Sequence, residues 1–111
     1  MPTYQKLVRD GIPGIIAAQG KALRTRILDT EEYIEQLRIK LKEETAEYFA
    51  ADSDEEALEE LADMLEVILA LALTHGCEGS SLERIRADKA ARRGGFMERI
   101  FLLDVADELQ V

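Results

Sequence analysis

The sequence predicts an all-α protein, a hairpin of two long helices followed by a third helix. Three observations carry this. Start signals recur at Asp29, Ser53 and Ser80, each with a Glu three residues later at Glu32, Glu56 and Glu83. That is the spacing of a capping box, in which a short polar side chain and a Glu satisfy the free amides of a first turn. Between these starts and the stops that match them, neither Gly nor Pro interrupts the chain from Asp29 to His75 or from Ser80 to Arg93. Within the two long runs, apolar residues return at alternating steps of three and four, the period of one helix face.

Taken in order, Gly11-Ile12-Pro13 predicts a turn and then a short helix from Pro13 to Gln19, with Pro in its first turn and Gly20 as its stop. Ala22 to Leu28 alternates apolar and polar residues (Leu23, Arg24, Thr25, Arg26, Ile27) and predicts a short strand. The first long helix opens at Asp29 and runs to about Ala51. The second restarts at Ser53 and runs to His75, where Gly76 ends it. The third runs from Ser80 to Arg93 and ends at Gly94-Gly95. Arg99 to Leu103 predicts a second strand, which could pair with the first as a small two-stranded edge ribbon.

The chain has 111 residues, enough for one domain over residues 1–111 and no more. Its formal charge is −9, from 23 acids against 14 bases. That argues against a nucleic-acid polymer as partner, which needs a basic face. One Cys rules out an internal disulfide and fits a reducing compartment. Met1 to Asp10 holds no apolar run of signal-peptide length. The most apolar stretch, Met64 to Leu73, is about half a membrane span and includes Glu66. A cytoplasmic protein without membrane contact is therefore expected.

The charge is concentrated. Residues 31–66 carry fourteen acids and three bases, while residues 1–30 carry five bases and two acids. A solvated acidic face is one explanation, and a cation site flanked by bases that hold a polyanion is the other. Spacing bears on the choice. In the first long helix the apolar stripe is Ile34, Leu37, Leu41, Glu44 and Tyr48, so a carboxylate occupies a core position. An unpaired charge there costs several kcal/mol or takes up a proton. Glu47 lies one turn on. In the second helix the stripe is Ala57, Glu60, Met64, Val67 and Leu71, and Asp63 lies one turn after Glu60. A tight turn at Asp52-Ser53 makes the two helices antiparallel, which sets Glu47 level with Glu60 and Glu44 level with Asp63. The two levels lie roughly 10 and 14 Å from the turn at about 1.5 Å per residue. Four carboxylates on one seam repel unless a cation joins them. All-oxygen ligation suits Mg²⁺, with Mn²⁺ as the substitute.

These residues match a known pattern. Glu43-Glu44-Thr45-Ala46-Glu47, twelve intervening residues, and Glu60-Leu61-Ala62-Asp63 form EExxE…ExxD. The sequence resembles the all-α nucleoside triphosphate pyrophosphohydrolases: the MazG-like enzymes, the dimeric dUTPases and phosphoribosyl-ATP pyrophosphohydrolase. Lys6-Leu7-Val8-Arg9-Asp10-Gly11-Ile12-Pro13 and Arg93-Gly94-Gly95-Phe96 look like a small single-domain branch of that group. The resemblance implies a MazG-like helical core completed by a second subunit and Mg²⁺-dependent release of pyrophosphate from a nucleotide. It implies metal ligation by Glu44, Glu47, Glu60 and Asp63, with Glu43 as an accessory acid. It also implies phosphate contacts from Lys6, Arg9, Lys89, Arg92 and Arg93.

The expected reaction is hydrolysis of a nucleoside triphosphate, standard or noncanonical, to the monophosphate and pyrophosphate. Glu44 or Glu47 is the candidate to take the proton of the attacking water as well as to bind metal. Two alternatives stand beside this one: a phosphoribosyl-ATP pyrophosphohydrolase of histidine biosynthesis, and a non-catalytic helical dimer that binds nucleotide. Lys89, Arg92 and Arg93 also suit the C-terminal end of a helix dipole. Tyr48 and Phe49 could stack a base or simply pack, and the same two roles are open to Phe96. His75 and Cys77 flank the helix-ending Gly76 and make a poor metal pair. Glu59 reads as surface, and Glu66 as a group near the site. A second long helix that is apolar nearly all round is too much for one short third helix to cover. A homodimer with a four-helix core, or a dimer of such dimers, is the expected assembly.

Overall fold

The computed structural model describes residues 2–107, so Met1 and residues 108–111 of the expected 1–111 domain lie outside it. It is all-helical, with four helices in the order α1 (Ile12–Ala18), α2 (Thr30–Ala50), α3 (Asp54–Thr74) and α4 (Gly79–Arg93). No strand occurs among the described residues. No helix among them is long and apolar enough to cross a membrane.

The hairpin starts are made as the sequence predicts. The Asp29 carboxylate accepts the Glu32 amide at 2.8 Å, and Ser53 Oγ accepts the Glu56 amide at 3.2 Å. The Glu partners do not complete the reciprocal half at the capping residue itself. Glu56 accepts the amide of Asp52, one residue earlier, at 3.1 Å, and Glu32 forks onto Arg26 instead. The end of α3 is a Schellman motif. The Cys77 amide donates to the Ala72 carbonyl at 2.9 Å and the Gly76 amide to the Leu73 carbonyl at 3.0 Å, with Gly76 at φ 75°.

Two expectations are corrected. The third capping box does not form: α4 starts at Gly79 after Glu78, with no side-chain cap, and Glu83 bonds Arg86 rather than reaching back to Ser80. The edge ribbon is also absent: residues 22–28 and 99–103 carry no ladder. Alternation alone cannot hold an isolated two-stranded ribbon, which needs a surface to cover its apolar face. None is offered here, and Ile27 remains 95% exposed.

The core is the seam between α2 and α3, which pack along one another, while α4 meets α3 alone. The predicted stripes are the inward ones. Ile34, Leu37, Leu41, Glu44 and Tyr48 on α2 and Ala57, Glu60, Met64, Val67 and Leu71 on α3 are all buried or half-buried. A second apolar stripe on α3, about a quarter turn away, carries Leu58, Leu61, Leu65 and Ile68, and all four are exposed. The radius of gyration is 18.8 Å, against about 13 Å for a compact chain of this length. The helices thus form an elongated layer with one apolar side open.

Gly76 offers a clean test of the α3 stop. A methyl group there would meet nothing within 4 Å, so only the left-handed backbone resists substitution. Gly76→Ala should lower stability by about 1 kcal/mol, read as a shift of the urea midpoint with an unchanged slope.

Candidate metal centre

The site is built on the turn-proximal ends of α2 and α3. Glu44 sits where the stripe of α2 demands an apolar residue, so the packing that buries Leu37 also buries this carboxylate, to 8% exposure. Glu60 faces it from the equivalent stripe of α3 and is half-buried, and Glu47 lies at the exposed rim. One carboxylate oxygen from each of Glu44, Glu47 and Glu60 lies within 4.8 Å of the other two. Glu44 Oε2 and Glu60 Oε2 are buried without a hydrogen-bond partner. Lys40, one turn back on α2, brings its Nζ to 3.8 Å from Glu44 Oε1, which offsets the charge but leaves Oε2 unmatched.

Two ionised carboxylates offer no donor to one another, so in the absence of a cation a proton must supply it. The Glu60 carboxyl is accordingly pushed up to about 7, first by the hydrogen bond it makes to Glu44 when protonated, then by burial, then by Glu47. A cation removes the same repulsion without a proton. Three oxygen donors from three side chains, one of them deep in an apolar seam, suit a hard divalent ion with room for water or phosphate oxygens.

Asp63 lies outside this trio. Its Oδ1 accepts from Arg9 Nη2 at 2.7 Å, both side chains being about half exposed. Such surface pairs contribute about 0–1 kcal/mol. Among the described residues, Arg9 is the one predicted phosphate ligand bonded to an acid of the EExxE…ExxD pattern. Lys6 lies over the Tyr4 ring at 5.6 Å. Lys89, Arg92 and Arg93 are on α4, with Arg92 Nε donating to the Asp88 carbonyl. Among the described residues, none of these α4 bases is ion-paired with the carboxylates. Glu43, Glu59 and Glu66 are exposed.

Tyr48 and Phe49 pack edge to face at 5.5 Å beside the hairpin turn. They line a shallow hollow of about 420 Å³ with Asp52, Ser53 and Ala57. His75 caps α3, the Cys77 backbone completes that cap, and Phe96 is fully exposed. Lys40 is a contributor that sequence reasoning missed. Its signal was present, since it precedes Glu44 by one helical turn.

No protein-family model and no solved structure matches the chain. The chain is similar to an uncharacterised protein of Mycolicibacterium smegmatis, with 48% identity over 54 residues. The matched stretch is 49% of this chain and 55% of that relative, about half of each.

The raised Glu60 carboxyl has a definite consequence for metal-free protein. Its folded value of about 7 lies above its ordinary 4.5, so between these the folded state holds the extra proton. The contribution is complete below about 4.5 and is lost as pH rises towards 7. In chelator, the melting temperature should fall across that window, and Glu60→Gln should flatten the fall. A wild-type profile unchanged by Glu60→Gln would count against the shared proton.

Proposed function

We propose that the protein is a metal-dependent nucleotide pyrophosphohydrolase that cleaves a nucleoside triphosphate between its α- and β-phosphates. Water adds across the anhydride, and the products are the nucleoside monophosphate and pyrophosphate. The observation that carries this reading is the buried Glu44 carboxylate, which faces Glu47 and Glu60 with an oxygen that no protein donor satisfies. A purely structural acid would have both oxygens satisfied, whereas Lys40 reaches Oε1 alone. The resemblance of Glu43–Glu47 and Glu60–Asp63 to the pyrophosphohydrolase pattern supplies the reaction class.

Glu44, Glu47 and Glu60 would hold Mg²⁺ or Mn²⁺, with Asp63 as the adjoining carboxylate. Bound there, the ion supplies charge neutralisation for the phosphates and a more acidic water. Glu44 would form the inner side of the site, since it lies buried in the seam. Glu47, open to solvent, is the carboxylate placed to accept a proton from water arriving at the rim. Arg9 and Lys6 would meet the phosphate oxygens from the N-terminal segment. Tyr48 and Phe49 offer aromatic surface for a base about one turn beyond Glu44 and next to Glu47 in the chain.

The protein would work as a homodimer. Leu58, Leu61, Leu65 and Ile68 stand exposed along one stripe of α3. Covering that stripe on two copies releases on the order of 10 kcal/mol, which reaches the entropic cost of association, about 4–15 kcal/mol. Two α2–α3 hairpins joined there make a four-helix core.

The decisive assay supplies Mg²⁺ and a panel of standard, deoxy and oxidised nucleoside triphosphates together with phosphoribosyl-ATP, and reads pyrophosphate separately from orthophosphate. Pyrophosphate should be released, and Glu44→Gln should reduce the rate by more than the roughly 10–100-fold seen for groups that only support a ligand. Preference for phosphoribosyl-ATP would move the protein into biosynthesis, and bound nucleotide without turnover would make it a binding protein. Light scattering should give a dimer mass, and Leu61→Glu with Leu65→Glu should give a folded monomer. A wild-type monomer at micromolar concentration would remove the dimer from this account.

A further inference from the structure

The N-terminal segment is joined to the hairpin by one polar contact, beside the half-buried Leu7 and Val8. Helix α1 makes no packing contact with another helix, and none of its residues is fully buried. Among the described residues, the one side-chain hydrogen bond from residues 2–21 to the α2–α3 hairpin is Arg9 Nη2 to Asp63 Oδ1. Arg9 is also the residue on which α1 is hung, since its carbonyl accepts the Ile12 amide at 3.0 Å. The pin that holds the arm is therefore the carboxylate beside the glutamate trio, one helical turn from Glu60.

We propose that Arg9 is a latch on the cation site: the guanidinium and a divalent cation compete for Asp63, so that filling the site frees Arg9 and the arm behind it. The inference rests on the reading of Glu44, Glu47 and Glu60 as a cation site and adds a linkage to it. Three features support the competition. Asp63 bonds Arg9 through Oδ1 and is half exposed, so an incoming ion has access to the same carboxylate. The ion pair is a surface one, of the kind that breaks readily. The trio alone offers a hard cation three protein oxygens, and Asp63 is the adjoining fourth on the same helix.

The consequence is an order of events built into the chain. Before the cation arrives, Arg9 neutralises Asp63 and holds the arm against α3. Once the cation takes Asp63, Arg9 is an unpaired fork of donors at the rim, which suits a phosphate group. Cation and polyanion then bind with positive coupling, because the first removes the competitor that occupies the donor needed by the second.

The test uses the full chain and Mg²⁺ alone as the probe. Calorimetric titration should show Mg²⁺ binding about five-fold tighter to Arg9→Gln than to wild type, the effect of removing a surface-pair competitor. Lys21→Gln removes the same charge from the same arm outside the ion pair, and should change the affinity by less than about two-fold. Hydrogen exchange of the α1 amides, Ile12 and Gly14 to Ala18, should accelerate when Mg²⁺ is added to wild type, and should already be fast in Arg9→Gln. Equal tightening by the two variants, or exchange that Mg²⁺ leaves unchanged, would overturn the latch while leaving the cation site standing. Absence of Mg²⁺ binding in every variant and in wild type would overturn the cation site and the latch together.

Discussion

The constraint on which the rest depends is a carboxylate in an apolar seam. Glu44 occupies a position that the periodicity of α2 assigns to a hydrophobic side chain, and it is more than nine-tenths buried. Helix packing cannot move it out without turning Leu37 and Leu41 out with it, because all three lie on one face of a continuous helix. The charge must therefore be balanced where it stands. Lys40 does part of this at 3.8 Å, a proton on Glu60 can do more, and a divalent ion can do all of it. The same geometry makes the site sharp. The seam that buries Glu44 also sets Glu60 opposite it, so the donors are preorganised by the core itself.

That core is a single seam. Among the described residues, only Leu37, Glu44, Val67 and Ala72 are fully buried, and no large side chain is completely enclosed. A chain with 47% hydrophobic residues and so little interior has apolar surface to spare. Much of it lies on the second stripe of α3, next to the face that bears Glu60. Any partner that closes that stripe also lowers the dielectric around the glutamates and strengthens every interaction among them. The proposed assembly and the strength of the proposed cation site would for that reason be one problem.

Much of this was legible in the residues. The hairpin stripes could be read because every step of three or four lands on a residue that the structure buries or half-buries, from Ile34 to Tyr48 and from Ala57 to Leu71. The intrusion of Glu44 and Glu60 into those stripes was visible for the same reason. Less accessible was the partition of the acids. Level positions on an ideal hairpin pair Glu44 with Asp63, yet Glu44 meets Glu60, because Asp63 has a shorter side chain and is drawn aside by Arg9, 54 residues away. No local pattern encodes that contact. The ribbon failed for a related reason: alternation describes a strand's two faces but does not supply the surface that one of them must cover. The start of α4 slipped because Glu83 had a better partner one turn ahead in Arg86 than behind in Ser80.

The helix ends sharpen the case for a cation. The last turn of α2 bears the negative end of its dipole, carries Glu47, and contains no basic residue. The first turn of α3 places Asp54, Glu55 and Glu56 at its positive end, where they are stabilised but add more negative field across the turn. Glu44 and Glu60 lie within about two turns of these two ends, at about 3.6 residues per turn. A helix designed only for stability would place Lys or Arg in the last turn of α2 and an apolar residue at position 44. The chain does neither: the three bases of α2, Arg38, Lys40 and Lys42, all precede Glu44, and most of the others lie on the N-terminal segment and on α4. Negative charge thus outweighs positive at this end of the seam, where Lys40 is the one base paired with the trio among the described residues. That is the arrangement a divalent cation and then a polyphosphate would each need in turn, and an acidic solvated face alone gives no reason for the buried member of the trio.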